Sequence, residues 1–149
     1  MSDAHELSVT TLIDATLDQC WTVWTERFTE WWCPKPWTTE LVAQDLRAGG
    51  RSAVIMRGPA GEEAPHEGVF LEVIPARKVV FTDAFEAGWV PHEAFMIGIM
   101  TFEEEGGQTR YTASARHWSA EAMQRHEEMG FYPGWGAVAA QFKALCEER

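Results

Sequence analysis

The stretch His126-Glu-Glu-Met-Gly-Phe-Tyr-Pro-Gly-Trp-Gly-Ala-Val-Ala-Ala-Gln-Phe142 decides the fold. Its first part reads as a helix end. Its second part has helical spacing, with Trp135, Val138, Phe142 and Leu145 forming one apolar stripe of a terminal helix. Between the two stand Gly130, Pro133 and Gly134, the residues least suited to a helix interior, and the aromatics Phe131, Tyr132 and Trp135 crowd the same place. The pattern predicts a helix ending at about His126–Met129, a Gly-Pro-Gly break that kinks or bulges the chain, and a final helix carrying bulky side chains at its start.

Upstream, Ser119 is a good N-cap for the first of these helices, and Glu121 sits in its first turn, where the helix dipole favours an acid. Before it, QTRYTASARHW (108–118) alternates. Arg110, Thr112, Ser114 and Arg116 point one way, and Tyr111, Ala113, Ala115 and His117 the other. The period of two assigns the first set to solvent and the second to the interior. An inner row with two alanines in its middle predicts either space beneath the terminal helix or a close-lying helix.

From residue 40 to residue 118 the signals are strands separated by turns, without intervening helices. LVAQDLR (41–47) leads to a hairpin-type turn at Gly49-Gly50, followed by SAVIMR (52–57), HEGVFLEVI (66–74), KVVFTDAF (78–85) and EAFMIGIMTFE (93–103). Together with ELSVTTLID (6–14) they predict an antiparallel sheet of six to seven strands. Asp18 is the expected N-cap of a short helix over 19–27. The proline-containing FTEWWCPKPW then ends helical structure. In 52–57 the face bearing Val54 and Met56 is expected inside, because Arg57 marks the other as outer. In 78–85 Lys78, Val80, Thr82 and Ala84 are expected outside, and Val79, Phe81, Asp83 and Phe85 inside.

The totals bound the function. The 149 residues fit a single domain, 1–149, with a sizeable core, and the net charge is −11 with no run of Lys or Arg. Nucleic acid and insertion into an anionic membrane are therefore not expected. No signal-peptide pattern or long apolar run is present, and Cys20, Cys33 and Cys146 show neither disulfide nor zinc spacing. A cytoplasmic location is the simplest expectation. Eight tryptophans predict either a Trp-rich core or an aromatic-lined cavity.

Catalytic patterns are sparse. HEEMG begins like a zinc-protease motif, but Gly130 stands where its second His would be. His66, His92 and His117 are candidate general bases, with strand-end or surface roles as the alternative. His117 is the best placed, being inward, and Asp83 is a candidate acid partner. No metal site or cofactor is expected.

TEWWCPKPW (29–37), DLRAGGR (45–51), IMRGP (55–59), EGVFLEVIPARKVVFT (67–82) and MGFYPGW (129–135) together resemble the SRPBCC (START-like, helix-grip) superfamily. More narrowly they resemble the branch named for the activator of the ninety-kilodalton heat-shock-protein ATPase. The resemblance spans about residues 7–146. It implies an α+β helix-grip domain of the START and birch-pollen-allergen kind: a curved antiparallel sheet around a long C-terminal helix, two short helices after the first strand, and a hydrophobic cavity between sheet and helix. On that reading Met56, Phe81, Phe85, Tyr111, Ala113, Ala115, His117, Phe131, Tyr132 and Trp135 line a ligand site. The alternative is that the aromatics plug the core. The favoured function is binding of a small apolar or aromatic molecule. An enzyme of the polyketide cyclase, dehydratase or hydrolase kind is one alternative. A chaperone-associated partner domain is the other, with chaperone contact less expected than a small ligand.

Overall fold

The computed structural model describes residues 5–148. Seven strands form one antiparallel sheet in the order β1-β9-β8-β5-β4-β3-β2. They are β1 (His5–Ile13), β2 (Thr38–Gln44), β3 (Arg51–Arg57), β4 (Glu63–Ile74), β5 (Lys78–Thr82), β8 (Ile97–Glu105) and β9 (Gln108–His117). A small separate ladder joins β6 (Phe85–Glu86) to β7 (Val90–Pro91). Helix α1 (Leu17–Glu26) and a 3-10 turn (Phe28–Glu30) follow β1, while α2 (Ala120–Glu128) and α3 (Phe131–Cys146) close the chain. This is the α+β helix-grip arrangement expected. Helix α3 packs chiefly against β1 and α1, and α2 against β1 and β9.

Several local expectations are corrected. Helix α1 is capped by Thr16 rather than Asp18: Thr16 Oγ1 accepts from Gln19 N, and Gln19 Oε1 accepts from Thr16 N. A threonine with Gln three residues on closes two orphan donors at once, which a lone Asp does not. Residues 45–50 form a longer connection than a tight hairpin turn, because Gly49 N donates to Phe70 O and Phe70 N to Gly50 O, tying the segment to β4.

The helix break is at Gly130 alone. Its φ of +100° is open to glycine, and it caps α3, whereas Pro133 and Gly134 lie inside the first turn of that helix. Proline is tolerated there because first-turn N–H groups have no helical partner to lose. Ser119 caps α2 as expected, its Oγ accepting from Ala122 N at 3.1 Å.

The inner row of β9 is buried throughout, at Tyr111, Ala113, Ala115 and His117. Its outer row is paired at the surface, with Arg110 on Glu105, Arg116 on Glu6 and the Thr112 hydroxyl 3.0 Å from that of Thr10. Ser114 is the exception, buried between its neighbours Ser8 and Ile99 in the middle of the sheet.

In β5 the expected outer residues Val80 and Thr82 are buried as well. The strand lies between β4 and β8, and Thr82 Oγ1 donates to Met96 O at 2.8 Å, under the returning 83–96 loop. The strand also ends at Thr82, so Phe85 leaves the inner row and meets Trp89 edge-on, with ring centroids 5.7 Å apart.

The main core joins Trp24, Phe28 and Trp31 to Phe70, Met100, Phe102, Tyr111, Ala113 and Phe142. Phe142 lies 4.7 Å from Trp31 and 4.6 Å from Tyr111, centroid to centroid. The cysteines carry no disulfide, and the thiols of Cys20 and Cys146 meet between α1 and α3. Among the described residues no helix is long and apolar enough to cross a membrane.

Candidate functional site around a buried histidine pair

The alanines of β9 were expected either to border space or to receive a close helix. Ala115 receives Phe131. The two residues and Leu7 form a second buried cluster, fringed by Val9, Met96, Met123 and Trp135. Phe131 and Trp135 are stacked at 4.6 Å. Gly98, level with Ala115 on β8, is likewise covered by a ring: a Cβ there would sit 2.3 Å from Phe81 Cε1. The small residues therefore form a floor on which the protein seats its own aromatics.

Phe81, Met96 and Trp135, the side chains around that floor, are only partly buried. Met56 is also partly buried at the edge of the main core, and Trp32 lies 5.8 Å from Phe81. Tyr132 turns outward, 48% exposed, edge-on to Phe131. Tyr111 and Ala113 sit inside the main core, and Phe85 stands apart beside Trp89. A depression of about 480 Å³, open to solvent, lies at the other end of the β8–β9 hairpin, among Thr16, Pro75, Arg77, Glu104 and Gly107. None of the expected ligand residues lines it.

His117 points inward as expected, and its partner is His126 of α2. His117 Nε2 is 2.9 Å from His126 Nδ1, and His117 Nδ1 is 2.9 Å from His5 O. The two side chains are 7% and 8% exposed. Chemistry orders the protons. A carbonyl can only accept, so His117 Nδ1 carries hydrogen. In neutral His117, Nε2 is then the acceptor, and His126 Nδ1 donates to it. The second nitrogen of His126 is left with a lone pair. Burial, reinforced by the neighbouring His117, lowers the His126 pKa to about 4, so the ring is neutral at pH 7.

Aromatics wall the pair. From the His126 ring, Phe95 is at 4.8 Å, Phe131 at 5.2 Å and Trp135 at 5.9 Å. Asp83 supports this wall. Its Oδ1 accepts from Phe95 N at 2.9 Å and Met96 N at 3.2 Å, which holds the segment carrying Phe95. It is thus engaged with backbone. His66 and His92 lie on exposed positions. His126 was not singled out by sequence reasoning, although it follows Met123 by three positions on the inward face of α2.

The fold has known relatives. A crystal structure of a protein from Nitrosomonas europaea superposes with a TM-score of 0.90 at 32% identity, covering 97% of this chain and 96% of that one. A crystal structure from Mycobacterium smegmatis gives 0.79 at 26% identity, with 97% and 95% covered. A solution structure from Arthrobacter aurescens, 24% identical with 99% and 88% covered, gives 0.84 and shares the fold. Among curated proteins none matches. Residues 14–147 match the family described as activator of Hsp90 ATPase homolog 1-like protein, and the chain belongs to that family.

Proposed function

We propose that the protein binds a small apolar or aromatic molecule at the mouth of the sheet–helix interface. The observation that carries this reading is the convergence of Phe81, Met96 and Trp135 around the Gly98–Ala115 floor, each with part of its surface open. Ligand sites are concave and mostly apolar, with few polar groups. The interior beneath is occupied by Phe131, so the ligand rests on that side chain rather than among the core residues Tyr111 and Ala113. Trp135 serves as wall and reporter at once.

Titration of the native protein with an anilinonaphthalene dye tests the reading. Dye emission should rise and tryptophan emission fall together, and Phe81→Ala or Trp135→Leu should weaken binding about tenfold. A native protein that leaves dye emission unchanged removes the reading.

A further inference from the structure

At the mouth of the interface stands a polar group whose bonding is incomplete among the described residues. His126 Nδ1 is committed to His117, and His126 Nε2 has no hydrogen-bond partner among the described residues. The His126 side chain is buried but not sealed, at 8% exposure. Its ring stands among Phe95, Phe131 and Trp135, and Phe131 and Trp135 also belong to the cluster on which the apolar ligand would rest.

From this geometry we infer that His126 Nε2 is the polar handle of the ligand site, accepting a hydrogen bond from a neutral hydroxyl on an aromatic ring. The inference rests on the binding reading above and adds the ligand's chemistry. A donor is required because the His5 carbonyl, through His117, sets the tautomer that leaves Nε2 as an acceptor. A neutral donor is favoured over an anion because the buried ring is uncharged at pH 7 and the chain carries a net charge of −11. A flat aromatic suits the three aromatic walls. His117 is a positioning residue: it does not reach the ligand but fixes which nitrogen of His126 carries hydrogen.

A matched pair of probes tests this. 2-Naphthol carries the donor, and 2-methoxynaphthalene has nearly the same shape without it. Binding is read at pH 7 from tryptophan emission. The native protein should hold 2-naphthol about tenfold more tightly, since the ether leaves a buried acceptor unpaired. His126→Phe should bind the two equally. His117→Phe, which frees the tautomer, should shrink the preference. Nitrogen-15 NMR of the native protein gives a readout that survives misfolding of the variants. The Nε2 resonance of His126 should be that of an unprotonated nitrogen and should move with 2-naphthol but not with its ether. Equal affinities in the native protein, or an Nε2–H tautomer, overturn the handle while leaving the apolar site standing. Failure of both compounds to bind overturns the site and the handle together.

Discussion

The two ends of the sheet–helix interface are built on opposite plans. At the α1 end, Trp24, Phe28, Trp31, Tyr111 and Phe142 interlock with centroid separations of 4.6–5.7 Å, where measured between neighbours. At the α2 end the cluster is smaller, and two buried imidazoles replace part of the hydrocarbon. Large apolar area makes the first end a source of stability. The second end gives up apolar area for a polar pair in which His126 Nε2 has no hydrogen-bond partner among the described residues.

The sharpest way to break that comparison is Phe142→Ala. Phe142 is fully buried among Trp31, Phe102 and Tyr111, and its truncation should cost about 3–5 kcal/mol in chemical denaturation. A cost below about 1 kcal/mol would mean that the aromatic end is not the stabilising one.

Acid should act on the other end. Burial depresses the folded-state pKa of His126 from an ordinary 6.5 to about 4. The stability tied to the neutral ring is therefore fully present above pH 6.5 and is lost as pH falls towards 4, because the unfolded chain takes up the proton first. The interval corresponds to about 3 kcal/mol. Measured against His126→Gln, the native protein should lose this much more stability between pH 7 and pH 4. Parallel curves would show that burial does not hold the His126 ring neutral.

A smaller effect sharpens the boundary between the two ends. Ala115→Leu should overpack against Phe131 and cost about 1–3 kcal/mol. Unchanged stability with lost dye binding would reveal space under α3 that the rings do not fill.

The sequence exposed some of this and hid the rest, for physical reasons. Strand β9 was readable because charged and small residues alternate along it, and its inner row emerged as expected. Strand β5 was not, because it lies between two strands and is covered on both faces, so that Val80 and Thr82 carry no outward signature. Asp83 looked like an inward acid. In the fold its carboxylate turns to the N–H groups of Phe95 and Met96, a pairing across twelve or more residues that no local pattern announces. Pro133 looked like a breaker because a helix interior forbids it, yet the first turn does not. The inward character of His117 was legible from period two. Its partnership with His126 required knowing that α2 folds back across the end of β9.

One feature of the sheet also governs the order in which it can be completed. Strand β1 lies at the edge and pairs only with β9, so His5 meets His117 and Ile13 meets Thr109. At ribosomal speeds of about 5–20 residues per second, the first strand emerges roughly 5–20 s before its only neighbour exists. Throughout that interval Leu7, Val9 and Ile13 have no sheet to join. Completion of the sheet at its β1 edge therefore waits for β9.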